Sequence, residues 1–283
     1  LFFAYGLGNA LTFPMAVGAS AILLEGPPEP EIINKIFFEE KPTLFFGVPT
    51  LFAILLASDN LPTKDEHDVR LCISAGEPLP SDLLARWQGT FGVDILDGLG
   101  TTEMLHIFVS NRPDEITPGS TGRVVPGYQI RLINDNNEVC APGEMGVLEV
   151  SGPSSALMYW GQRQKTKDTF KGTWTRTGDN YSISEKGVMT YGGRNDDMLK
   201  VGGIYVSPFE VEAALIKHEA VLEAAVVGNN DQDGLVKPKA FIVLNKKFTG
   251  SDELASELIN FVKTNLAEYK YPRWIEFLDE LPK

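Results

Sequence analysis

Two short segments place an aspartate and an arginine fifteen residues apart: Trp174-Thr-Arg-Thr-Gly-Asp179, then Gly193-Arg194-Asn195-Asp196-Asp197, which runs on to Lys200, Gly202 and Gly203. A carboxylate can accept both hydroxyl protons of a ribose diol, and a guanidinium can donate to ribose or phosphate oxygens. Asp179 and Arg194 are therefore candidates for holding a nucleotide. The plainer reading is a structural Asp–Arg ion pair, and Thr-Gly-Asp by itself is a common turn.

A second constellation, Asp97-Gly98-Leu99-Gly100-Thr101-Thr102-Glu103, directly follows an apolar run. Its glycines let the main chain approach a planar ring closely, a threonine hydroxyl can donate to a phosphate oxygen, and a carboxylate can hold Mg²⁺ against that phosphate. A third, Ser74-Ala75-Gly76-Glu77-Pro78, offers a wall of small residues for a base or a substrate, or simply a turn into a helix.

These segments need elements to position them. Up to about residue 111, apolar runs at 19–24, 43–48, 70–74 and 93–96 read as strands and alternate with helical patterns at 31–40, 49–57 and 81–91. That alternation predicts βαβ units, an α/β fold and a mostly parallel sheet, with the loops 74–80 and 97–103 beyond the strand C-termini. Residues 112–193 change to short strands (128–133, 146–150, 187–191) separated by Pro118-Gly119, Pro126-Gly127 and Pro142-Gly143, which predicts an antiparallel β subdomain or small barrel. A small α+β domain follows. Ser207-Pro208 caps a helix through 210–218, strands are expected at 224–227, 239–244 and 274–278, and a helix spans 252–267. The boundary is placed at residues 194–197.

Composition narrows the function. The formal net charge of -13 and the lack of a Lys/Arg cluster argue against nucleic acid. Two cysteines, Cys72 and Cys140, and three scattered histidines show no metal-site spacing. Residues 1–24 carry no charge, but Gly6, Gly8, Asn9, Thr12, Pro14, Gly18 and Ser20 interrupt them. A buried helix followed by a buried strand at 19–24 is expected there, not a membrane span.

Taken in order, SAGEPLP, DGLGTTE, WTRTGD, GRNDDMLKVGG and YVSPFEVEAAL resemble the adenylate-forming superfamily of acyl-CoA ligases, carrier-loading adenylation domains and luciferases. The resemblance covers essentially the whole chain. Leu1-Phe-Phe-Ala-Tyr-Gly-Leu-Gly-Asn9, the run from Gly100 to Phe108, Ser155-Ala-Leu-Met-Tyr-Trp160 and the run from Lys200 to Pro208 are similar to the benzoate–CoA ligase branch.

The resemblance implies a two-step reaction with ATP, Mg²⁺ and coenzyme A. An aromatic carboxylate attacks the α-phosphate, giving acyl-AMP and pyrophosphate, and the CoA thiol then displaces AMP. Gly76, Glu77, Pro78, Gly98 and Leu99 would line the nucleotide, Asp97 would meet the adenine amino group, and Thr102 the α-phosphate. Glu103 matches the magnesium-binding glutamate, Asp179 the ribose-binding aspartate and Arg194 the arginine beside it. Asp196 matches a hinge about which the C-terminal domain, 198–283, would turn between half-reactions. Gly202 and Gly203 would lie near pantetheine, and Lys200 on the same loop is a catalytic candidate for thioester formation.

For the acid pocket the expected walls are Tyr5, Ala75, Gly98, Gly100, His106 and Ile107, with Gly100 leaving room for an aryl ring. Core packing is the rival for Tyr5, and a hydrogen bond to a nearby carbonyl is the rival for His106. The family's phosphate loop would precede Leu1 and its adenylating lysine would follow Lys283, so the chain alone is expected to be inactive. A cytoplasmic location is expected, with no membrane partner and homo-oligomerisation left open. Two other readings remain at this stage: a domain loading an aryl acid onto a carrier protein, and a non-catalytic nucleotide-binding remnant.

Overall fold

A computed structural model describes residues 1, 3–195, 197–201, 204–232 and 235–281, and the side chains of Lys200, Tyr205 and Glu268 are outside that description. The chain divides into two compact units, one made of Leu1–Thr177 with Tyr181–Tyr191, the other of Gly178–Asn180 with Gly192–Lys283.

The first unit opens with α1 (Ala4–Leu7), a π-helical turn (Gly8–Thr12) and α2 (Phe13–Val17), ended by Gly18 in the left-handed conformation. Then α3 (Pro30–Glu39), β1 (Leu44–Gly47), α4 (Pro49–Leu56), β2 (Leu71–Ala75), α5 (Ser81–Phe91) and β3 (Ile95–Gly100) alternate. Pro30 and Pro49 sit at the first helical position, each after an extended residue. There the fixed φ suits the helix and the missing N–H is not needed. Along α5, Leu83, Leu84, Trp87 and Phe91 face one side, and with Ile33 and Phe37 of α3 they close over Cys72 and Ile95 of the sheet. Burying these side chains contributes roughly 1.5 to 3 kcal/mol each.

β4 (Ile107–Ser110) and β5 (Arg123–Val124) complete a sheet ordered β1-β2-β3-β4-β5. The first two pairings are parallel and the last two antiparallel, with a register shift between Leu99 and Gly100. The sheet is therefore parallel where the βαβ pattern was legible and reverses at the glycine-rich segment. A second sheet holds β6 (Gln129–Ile133), β7 (Met145–Ser151), β9 (Trp174–Ile183) and β10 (Met189–Arg194); α6 (Arg163–Thr169) leads into β8 (Phe170–Lys171), which pairs antiparallel with β9. β6 and β7 are also antiparallel. Met104, Phe108, Leu132, Leu148, Tyr181 and Met189 form the core here.

The N-terminal expectation needs correction. Residues 19–24 form no strand and are half-buried or exposed. β1 is the edge strand of the sheet and the run does not pair with it; its first residue instead closes the preceding helix, the Ala19 N–H donating to the Pro14 carbonyl at 2.8 Å. The helical segment before it is not buried either: Phe3, Phe13, Met15 and Val17 are exposed, while Gly8 and Asn9 are buried.

In the second unit, β11 (Leu199–Val201) and β12 (Ile204–Val206) make an antiparallel hairpin. Ser207 caps α7 (Pro208–Leu215), its Oγ accepting from the Glu210 N–H at 3.2 Å, with Pro208 at the first helical position. β13 (Val221–Asn230), β14 (Val236–Leu244) and β15 (Trp274–Leu278) form a sheet in that order, and α8 (Asp252–Asn265) buries Leu254, Leu258 and Val262 in its core. No helix among the described residues is long and apolar enough to cross a membrane.

Candidate active site

The two glycine-bearing loops lie at the carboxyl ends of neighbouring parallel strands, where α/β sheets place their ligands. Ser74 is the register partner of Asp97, and Ala75 of Gly98. After Ala75 the chain turns through Gly76 at φ +90, a conformation that penalises any Cβ, and Glu77 accepts from the Thr50 hydroxyl at 2.8 Å. Glu77 is thereby tethered to the first turn of α4.

Asp97 is 6% exposed. Burial pushes its carboxyl up to about 7, opposed by the N–H groups of Gly98 and Leu79 and by the Thr121 hydroxyl. Beside it, Ser74 Oγ is buried and has no hydrogen-bond partner among the described residues, and the same holds for Asn9 Nδ2. Buried polar atoms of this kind usually find a partner, so a ligand or water is the natural complement at Ser74.

The strand ends in a tight turn. Thr101 Oγ1 accepts from the Met104 N–H at 3.3 Å, Thr102–Met104 form one 3₁₀ turn, and Leu105 adopts φ +70. Thr102 is exposed. One oxygen of Glu103, Oε1, accepts from the Tyr159 hydroxyl, while Ala156 N–H donates to the Glu103 carbonyl at 2.7 Å. No group of three or more His, Cys, Asp or Glu side chains suited to a metal is present among the described residues. Among the described residues Glu103 Oε2 accepts no hydrogen bond, and a carboxylate so placed fits Mg²⁺, which keeps several waters and is commonly held by one or two carboxylates and a substrate phosphate.

Tyr5 reaches both strand ends, donating to the carbonyls of Ile73 at 3.0 Å and Gly47 at 3.3 Å. Burial, with the Asp97 charge adding to it, holds the Tyr5 phenol far above its usual range. The ring stacks on His106 at 5.6 Å, and Phe13 meets His106 edge-on at 4.7 Å. His106 Nε2 lies 3.3 Å from the Tyr5 carbonyl, and burial depresses its basicity against the opposing effect of that carbonyl. The carbonyl partner foreseen as the rival reading of His106 is thus found, on α1 and not on a helix of its own.

Gly98 and Gly100 behave differently. A Cβ at Gly98 would lie 2.7 Å from the side-chain Cδ1 of Ile107, whereas one at Gly100 would lie 2.6 Å from the His106 carbonyl oxygen. At Gly100 the atoms in the way are main chain, at Gly98 a side chain. Leu99 is partly buried and packs on the core around Met104 and Phe108.

In the second unit, Arg194 Nη1 donates to Asp179 Oδ1 at 3.0 Å. Gly178, at φ +80, carries its missing Cβ toward Arg194 Nη2, which would be 3.2 Å away, and its carbonyl accepts from the Asn195 N–H at 2.8 Å. Asn180 Nδ2 is another buried amide nitrogen without a hydrogen-bond partner among the described residues. Asp196, Gly202 and Gly203, and the side chain of Lys200, lie outside the described residues. Sequence reasoning passed over Ser74 as an unsatisfied hydroxyl, Thr121 beside Asp97, and Tyr159 beside Glu103.

The profile of the family described as AMP-binding enzyme matches residues 1–160, and that of the AMP-binding enzyme C-terminal domain matches residues 210–283. The chain belongs to the AMP-binding enzymes. Among members of that family, the benzoate–CoA ligase of Thauera aromatica is 56% identical over 100% of this chain and 54% of its own length. The crystal structure of a benzoate CoA ligase from Burkholderia xenovorans LB400 superposes with a TM-score of 0.91 at 53% identity, covering 100% of this chain and 57% of that one. The anthranilate CoA ligase AuaEII, solved in complex with anthranoyl-AMP, gives 0.90 at 44%, covering 100% and 55%. This AMP-binding enzyme chain spans about half the length of the curated relatives it matches.

Proposed function

We propose that the protein carrying this chain activates an aromatic carboxylic acid of the benzoate type. The carboxylate oxygen attacks the α-phosphorus of ATP and pyrophosphate leaves, giving an acyl-AMP. The CoA thiol then adds to the acyl carbon and AMP departs, leaving an aryl-CoA thioester and a proton. The observation that carries the reading is the whole-chain likeness to benzoate ligases, with the loops after β2 and β3 at adjacent strand ends.

In this reading Gly76, Glu77, Pro78, Gly98 and Leu99 border the adenine, and the buried Asp97 accepts from its amino group. The exposed Thr102 hydroxyl donates to the α-phosphate. Glu103 would hold Mg²⁺, which when bound neutralises phosphate charge. Asp179, oriented by Arg194, receives the ribose hydroxyls. Tyr5, Ala75, Gly98, His106 and Ile107 are the proposed acid-pocket walls: an aromatic ring beside stacked Tyr5 and His106 gains offset or edge contacts of about 0.5 to 1.5 kcal/mol. Lys200, Gly202 and Gly203 are assigned to the CoA half-reaction, and Asp196 to the hinge.

The test is pyrophosphate release by the protein made from its complete reading frame, across benzoate, hydroxybenzoates, aminobenzoates, acetate and a long-chain acid. Turnover is expected with benzoate and its simple derivatives, and thioester is expected on free CoA. Activity confined to acetate or long-chain acids would remove the substrate claim.

A further inference from the structure

The loop that follows β7 is sewn to the Thr102–Met104 turn by three hydrogen bonds. Ser154 Oγ donates to the Met104 carbonyl at 2.7 Å, Ala156 N–H to the Glu103 carbonyl at 2.7 Å, and the Tyr159 hydroxyl to Glu103 Oε1. The first two fix the main chain of the turn. The third alone acts on the carboxylate.

Tyr159 is itself held from several sides. Its N–H donates to Thr166 Oγ1 at 3.1 Å, its ring packs on Phe170 at 5.5 Å, and Lys165 Nζ lies 4.3 Å above the ring. No hydrogen bond to the second oxygen, Glu103 Oε2, is found among the described residues.

We propose that Tyr159 is a positioning residue that locks the Glu103 carboxylate with Oε2 turned out to the metal, a role that rests on Glu103 being the magnesium-binding group. A metal-binding carboxylate loses affinity when it rotates freely, because its lone pairs are no longer held toward the ion. Outer hydrogen-bond partners of metal-binding groups typically change metal affinity 10- to 100-fold when removed. A half-exposed site belongs at the lower end of that range.

The test is titration of Mn²⁺, followed by its electron paramagnetic resonance signal in the presence of ATP, on the protein from its complete reading frame. Tyr159→Phe, which keeps the ring and its packing, is expected to raise the Mn²⁺ dissociation constant by about tenfold. Glu103→Gln should raise it at least as much, and the double variant should be no weaker than Glu103→Gln alone, since both changes act through one carboxylate. Ser154→Ala cuts a main-chain tie of the same loop and should lower Tm while leaving the Mn²⁺ constant in place. A normal constant in Tyr159→Phe beside a weakened Glu103→Gln overturns the positioning role only. An unchanged Glu103→Gln removes the metal reading beneath it and the proposal with it. A shift in Ser154→Ala equal to that of Tyr159→Phe would assign the effect to loop anchoring and also overturn the role of the phenol.

Discussion

Arg194 and Asp179 meet at 3.0 Å with unequal access to water: the arginine side chain is 51% exposed and the aspartate 8%. The carboxylate has therefore given up its hydration and the guanidinium has not. Removing Arg194 takes an ion-pair partner from the more buried, and so more costly, of the two charges. Arg194→Ala should destabilise by about 1 to 2 kcal/mol, below the ~3 to 5 of a pair buried on both sides. Denaturant unfolding checks it. Asp179→Ala should weaken AMP binding by more than about tenfold through the lost ribose bonds; an unchanged AMP constant by calorimetry would return the pair to a purely structural role.

Asp97 carries a pH signature. Its carboxyl is raised from 3.8 to about 7, so the native state holds a proton that the unfolded chain releases. The associated stability is complete below about pH 4, declines as pH rises toward about 7 and is flat above. Asp97→Asn should match the wild type near pH 4 and exceed it above pH 7 by something on the order of 2 to 4 kcal/mol. Thermal unfolding across that range reads the difference. An adenine amino group favours the charged carboxylate, so AMP binding should tighten from about pH 6 to about pH 8 in the wild type and not in Asp97→Asn.

Gly98 and Gly100 differ in what a methyl group would strike. At Gly98 it meets the end of Ile107, which can turn aside; at Gly100 it meets the carbonyl of His106, which cannot. Gly100→Ala should destabilise by about 2 kcal/mol and Gly98→Ala by less than about 1, both read by denaturant unfolding. Equal losses would contradict the distinction. Because Gly98 is a proposed wall of the acid pocket, Gly98→Ala should also favour benzoate over ring-substituted acids in KM.

The cap of α7 offers a control within the second unit. Ser207 is 2% exposed and satisfies the Glu210 N–H. Ser207→Ala should cost about 1 kcal/mol in unfolding free energy without altering AMP binding. A loss no larger than that of an exposed serine would remove the cap from the account.

Legibility followed the range of the interaction. Helices α3, α5, α7 and α8 announced themselves through apolar spacing and, at Ser207-Pro208, through a cap and a proline, all within one or two turns of chain. The parallel pairing of β1, β2 and β3 followed from alternation alone. Residues 19–24 misled because an apolar run states that a segment avoids water, not that a neighbouring strand exists to pair with it. At Gly100, sequence records the missing side chain but not the main-chain atoms of His106 that a Cβ would meet. Tyr159 and Glu103 are 56 residues apart and share no local pattern. Only folding brings that phenol to that carboxylate, so the residue stood in the text merely as part of a family-like phrase.

The reversal of chain direction after β3 has a further consequence. Because β4 returns antiparallel beside β3, the Thr101–Leu105 stretch is a hairpin bend gripped at both stems, with Leu105 already in its uncommon conformation. Such a bend has little freedom left to surrender when a triphosphate arrives, so ligand contacts there are not spent on freezing a wandering loop. Nucleotide affinity at Thr102 and Glu103 should accordingly be governed by charge and geometry, with little of the entropic drag that mobile phosphate-binding loops carry.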